Sequence, residues 1–458
     1  MAKKLRSHRT AKRDTVKSSA GKQSAAKLNE VRKNAKPKPK RMAVEKKLLK
    51  NRSASTWTNT ARSDSPSLAK LDLEHALELV MQMMALPGLS GQEGPVAQFI
   101  MEQLRQAGAA ETDIILDTAH KRTPTPGEVG NLIFKLPGTV QGPRRLLMAH
   151  MDTVPVCLGT KPVVDGDFVR SADPTTGLGA DDRAGAAAIL CAALAILRHK
   201  LPHPPLTFFW PIQEEVGLYG ARHADLDLLG KPQLAFNWDG GSAEKATVGA
   251  TGGYRMEIEI EGLASHAGVA PENGVSAIAI AALAIEELVR GGWHGRIAKG
   301  KRRGTSNIGF IHGGGATNVV TDKVQLKVEA RSHDPKFRKQ IVTAIEKAFH
   351  HAAKTVRSAK GQRGKATLSG RLDYESFRLA DNEACIVAAE AALVAEGFQP
   401  VRAISNGGLD ANWMHVHGIS TVTLGCGQVS PHTVSERLDI AAFRAACRIA
   451  LRLALGEG

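Results

Sequence analysis

Apolar and polar positions follow two textures along the chain. Between Ser67 and about residue 247, helical spacing alternates with short unbroken apolar runs. "SPSLAKLDLEHALELVMQMMAL" sets Leu, Val and Met at helical spacing behind Ser67, a candidate cap, and "GPVAQFIMEQLRQAG" repeats the pattern up to a C-terminal stop at Gly108. The runs "NLIFKL", "RRLLMAH", "PPLTFFWPIQEE" and "LAFNWDG" read as strands buried on both faces, with the helical "DRAGAAAILCAALAILRHK" among them. That alternation predicts an α/β fold with a mostly parallel central sheet covered by helices.

From about residue 248 the texture changes. "YRMEIEIEG" alternates apolar and charged residues, as a half-exposed antiparallel strand does. The helix "GVSAIAIAALAIEELVR", the strands "TSNIGFIHGG" and "VVTDKVQLKVEARS", the helix "DPKFRKQIVTAIEKAFHHAAKTV" and the strand "KATLSGRLDYESF" follow. The order βαββαβ predicts a compact, ferredoxin-like α+β unit. The first texture returns in "NEACIVAAEAALVAEG", "STVTLGCG" and a last helix from Ile440. The organisation expected is thus a tail over 1–66, one domain split into 67–247 and 377–458, and a second domain inserted at 248–376.

Charge changes the picture only at the N-terminus. Residues 1–50 hold 18 Lys and Arg against Asp14, Glu30 and Glu45, so nearly all of the chain's net +16 lies there. This segment lacks aromatics and contains "KPKPKR", which predicts a disordered arm. It could contact nucleic acid or another anionic surface weakly, or simply be a solvated extension. No apolar signal core follows it, no stretch is long enough to span a bilayer, and Cys157, Cys191, Cys385, Cys426 and Cys447 form no CxxC. A cytoplasmic protein without a thiolate metal site is expected.

Five stretches carry polar residues that apolar strands do not explain. "AHMDT" supplies His150 and Asp152, which share one strand face; "GLGADDRAG" supplies Asp181 and Asp182; "PIQEEVG" supplies Glu214 and Glu215; "NWDGG" supplies Asp239; and "SPHTVSE" supplies His432. All except His432 follow a strand, His432 lies in a loop a few residues beyond one, and ligands of parallel α/β sheets collect at the carboxyl ends of strands. So many carboxylates in one crevice would repel unless cations neutralised them. Two His with three carboxylates and no Cys suit two divalent ions, zinc, cobalt or manganese, and a further acid left off the metals could take a proton from water.

Taken together, "AHMDTVP", "GADDRAG", "QEEVGLYGAR", "NWDGG", "GGLDAN" and "PHTVSE" resemble the di-zinc metallopeptidase and amidohydrolase family of peptidase T, glutamate carboxypeptidase and aminoacylase, and the peptidase T-like branch above all. The resemblance covers roughly residues 72–456. It implies a zinc-peptidase catalytic domain with an inserted lid that dimerises, and two metal ions, zinc first, bridged by Asp181. His150 and Asp239 would complete one site, Glu215 and His432 the other. Asp152 would orient His150, Glu214 would be the general base, and Asp182 would shape its loop. His266, Asn318 and Arg331 of the lid would meet substrate, and Gly407 and Gly408 would let it approach the backbone. The expected activity is hydrolysis of short peptides by an exopeptidase. The alternatives are an N-acyl amino acid deacylase or amidase, and a nucleic-acid-binding protein acting through its tail.

Overall fold

The computed structural model describes residues 65–457, so most of the expected basic tail lies outside the described residues. Ser65, assigned to that tail, instead donates to Glu457 at 2.6 Å, and Ser67 donates to the same carboxylate at 2.9 Å. The first α-helix begins at Leu73, not behind Ser67. Its cap is Asp72, which accepts from the His75 amide at 3.0 Å and so satisfies an orphan donor of the first turn.

Among the described residues, nine strands make the main sheet. Leu206–Trp210, Arg145–Met148, Leu234–Trp238 and Thr421–Leu424 lie side by side in that order, all parallel. Antiparallel strands extend both edges: Leu132–Leu136 beside Leu206–Trp210, and Lys245–Ala250 beside Thr421–Leu424. The sheet is therefore mixed, with a parallel centre. Its middle strands are buried throughout because both faces are covered. On one face the helix Ala180–His199 is buried nearly all round, against the helices Leu73–Ala85 and Ile440–Leu455. Its many alanines let three helix backbones and the sheet approach closely.

A second sheet is antiparallel, in the order Gly295–Lys299, Arg302–Gly313, Lys323–Ser332, Gly252–Glu261 and Lys365–Tyr374. The helices Ala277–Arg290 and Pro335–Thr355 pack on the face bearing Met256, Ile258, Ile260, Val324, Leu326 and Val328. The βαββαβ expectation lacked the edge strand Gly295–Lys299. Its sequence, "GRIAK", has one buried apolar residue and cationic neighbours, a composition that blunts sheet edges but hides the strand from pattern reading.

A third sheet, of four short strands, was not foreseen. It joins Pro162–Asp165 and Phe168–Ser171 to Arg437–Asp439 and Gln428–Val429, far apart in the chain. Among the described residues, no helix is long and apolar enough to cross a membrane. All five cysteines are free and buried.

Candidate metal centre

The carboxyl ends of the parallel strands converge. His150 and Asp152 follow Arg145–Met148, Glu214 and Glu215 follow Leu206–Trp210, and Asp239 follows Leu234–Trp238. Asp181 stands in the first turn of the helix Ala180–His199, after Gly179, whose φ of 79° suits a residue without a Cβ. His432 sits in the loop between the short strands Gln428–Val429 and Arg437–Asp439.

Asp152 is wholly buried and fully used. It accepts from Ser90 Oγ at 2.6 Å and from the amides of Glu214 and Glu215 at 2.9 and 3.2 Å, and lies 3.4 Å from His150 Nδ1. With the Asp152 main-chain carbonyl 3.2 Å from Nδ1, this carboxylate fixes the His150 ring so that Nε2 faces Asp181, and it also holds the backbone that carries both glutamates. Asp182 is likewise consumed locally. It accepts from the His150 amide at 3.2 Å, the Gly185 amide at 3.1 Å and Gln428 Nε2 at 3.0 Å.

Asp181 stands between two imidazoles, 3.3 Å from His150 Nε2 and 3.2 Å from His432 Nε2. His432 also approaches Glu215 at 2.9 Å. Ligand atoms of His150, Asp181 and Asp239 lie within 4.8 Å of one another, and so do those of Asp181, Glu215 and His432. The two triads share Asp181, and neither contains a thiol.

The electrostatics show what such a cluster lacks. Burial, then the charges of neighbouring acids, pushes the Asp239 carboxyl well above its ordinary value, and burial does the same to Glu214 against the pull of His150. Burial raises Glu215 too. At Asp181 burial also raises, but hydrogen bonds from His150 and His432 outweigh it and hold the carboxyl low. Hydrogen bonds to Asp181 and Glu215 push His432 up to about 10. Asp152, Asp181, Asp182, Glu214, Glu215 and Asp239, six acids crowded with two imidazoles in one crevice, are strained as ions without further positive charge among them. Oxygen and imidazole donors in two overlapping triads fit a pair of divalent cations.

The profile of peptidase family M20/M25/M40 matches residues 146–456 of this chain. The chain belongs to that family. The protein YqjE of Bacillus subtilis is 32% identical over 367 residues, which cover 80% of this chain and 93% of that protein. A tripeptidase from Staphylococcus aureus aligns with a TM-score of 0.74 at 31% identity, over 84% of this chain and 98% of its own. Aminopeptidase PepT from Bacillus cereus aligns with a TM-score of 0.71, at the same identity and the same coverage. The metallopeptidase chemistry and the mixed α/β fold expected from the sequence are those of this M20 family.

The expected substrate residues make other contacts. His266 is exposed on a loop of the antiparallel unit, where its Nδ1 accepts from the Gly268 and Val269 amides, both at 3.2 Å. Asn318 is exposed on the facing loop, its carbonyl accepting from the Ala267 amide at 2.8 Å. Among the described residues, no hydrogen bond or ion pair ties either to the five residues of the two triads. Arg331 is already paired in two bonds, at 3.1 and 2.9 Å, with Glu329 of its own strand face. At Gly408 the close approach comes from the protein itself, for a Cβ would meet the Tyr374 ring at 2.5 Å. Gly407 donates its amide to Ser405 Oγ at 3.0 Å.

Sequence reasoning passed over Ser90, which no motif marks. It also left roles unassigned to Asp410 within "GGLDAN" and Glu436 within "PHTVSE". Asp410 is buried with both carboxylate oxygens unpartnered, and burial lifts its pKa to about 7.

Proposed function

We propose that this chain is an exopeptidase acting on short peptides, with tripeptides as its nearest substrate class. What supports the reading best is the pair of triads sharing Asp181, beside a Glu214 whose carboxylate has no hydrogen-bond partner among the described residues. His150, Asp181 and Asp239 would hold one divalent ion, and Asp181, Glu215 and His432 the other, with zinc the first expectation. Bound there, two such ions supply Lewis acidity toward the scissile carbonyl and acidify a water.

The rest falls to the side chains. Glu214 stands next to Glu215 but outside both triads, so it is free to take a proton from the attacking water and return it to the leaving amine. The same burial that lifts its pKa makes it a competent base near neutral pH once cations lower it again. Asp152 keeps His150 in the tautomer that presents Nε2. His266, Asn318 and Arg331 are assigned to substrate binding from the lid. Among the described residues none of them bonds to the triads, so they would act when the lid closes or when a second copy docks.

The reading is tested by measuring metal content and tripeptide hydrolysis before and after chelation, with N-acyl amino acids assayed in parallel. About two ions per chain, with activity lost on chelation and restored by metal, supports it. Turnover of N-acyl amino acids alone would replace the peptidase with a deacylase of the same family.

A further inference from the structure

The loop that carries His432 does more than present a ligand. Four residues beyond it, Glu436 is 2% exposed, and its carboxylate faces the loop that carries Asp181. One oxygen accepts from the Leu178 and Gly179 amides at 2.9 and 2.7 Å, and the other from the Asp181 amide at 3.0 Å. The Cys157 thiol lies 3.4 Å from the first oxygen. Gln428, at the start of the His432 loop, donates to Asp181 at 3.3 Å and to Asp182 at 3.0 Å. Between these two anchors the backbone turns through left-handed conformations at Ser430 (φ 55°) and His432 (φ 62°), which non-glycine residues hold only when their surroundings dictate it.

We propose that Glu436 is a positioning residue for the metal centre, clamping the Asp181 loop to the His432 loop so that two ligands of one ion move as a unit. This rests on the triad reading above. A carboxylate is suited to the place because it only accepts, and every group facing it donates. An amide would turn its NH₂ toward one of those N–H groups. The strand pairing of Arg437–Asp439 with Phe168–Ser171 brings the two loops together, and Glu436, with Gln428 beside it, supplies the side-chain bonds between them.

The test uses the full-length chain, stripped of metal and titrated with Co²⁺ while its visible absorption is recorded. In Glu436→Gln, affinity for one of the two ions should fall about 10- to 100-fold, the size of effect typical of residues that orient ligands. The cobalt spectrum should change, and kcat should drop with little change in KM at saturating metal. Glu436→Asp keeps the buried charge but withdraws it by one methylene; it should show the same signature and serves if Glu436→Gln does not fold. Glu396→Gln, which breaks a buried ion pair with Arg448 and Arg452 on the last helix, is the control for plain destabilisation. It should lower Tm and leave cobalt affinity and spectrum at wild-type values. Wild-type affinity and spectrum in a folded Glu436 variant would overturn the clamp. A wild-type chain that takes up no cobalt would overturn the triads themselves, a separate failure.

Discussion

Asp152→Asn tests how much of the centre depends on one side chain that touches no metal in the proposed arrangement. The substitution keeps size and shape, so no cavity forms. The carboxylate serves four groups: Ser90 Oγ, the amides of Glu214 and Glu215, and His150 Nδ1. An asparagine has one acceptor oxygen. If that oxygen stays with the Glu214 amide and His150, the NH₂ faces the Glu215 amide, donor against donor, while the Ser90 hydroxyl can rotate to accept. One main-chain hydrogen bond to a charged acceptor is lost, which costs about 1.5–3 kcal/mol. Felt at the ligands, that is roughly a 10- to 150-fold loss of metal affinity, since about 1.4 kcal/mol is tenfold. The assay is a competition titration of the metal-free protein against a chelator of known affinity, with kcat then read at saturating metal. Affinity within twofold of wild type, in a protein of unchanged Tm, would refute the reasoning.

Glu214→Gln should reduce kcat by about 10²- to 10⁴-fold, the usual size of a lost general base, while elemental analysis still finds wild-type metal content. Asp181→Ala removes the carboxylate common to both triads and should lose both ions together, so a variant retaining one tightly held ion would contradict the sharing. Gly408→Ala places a methyl where the Tyr374 ring stands, 2.5 Å from a Cβ, and should cost about 1–3 kcal/mol, read as a lower Tm.

Much of this protein was legible in its sequence because the signals were local. Unbroken apolar runs marked the parallel strands, strict alternation marked Gly252–Glu261, and the polar residues that broke these patterns are the ones the fold gathers. Position after parallel strands sufficed to place His150, Glu214, Glu215 and Asp239 in one crevice, because a parallel sheet puts all its carboxyl ends on one side, whereas Asp181 and His432 reach it from the small third sheet. Other features depend on partners far along the chain. The edge strand Gly295–Lys299 exists because Arg302–Gly313 pairs with it, and the small sheet because residues 162–171 meet residues 428–439. Ser90 serves Asp152 across 62 residues, and Glu436 serves Asp181 across 255. Arg331 shows the opposite case: its type suited a substrate carboxylate, but folding set Glu329 beside it. Which histidines and acids could serve as ligands was therefore legible from residue type and chain order, which the sequence carries directly. The groups that hold those side chains in place were decided only by tertiary structure, since a buried hydrogen bond is made by whichever donor the fold brings within about 3 Å, whatever its distance along the chain.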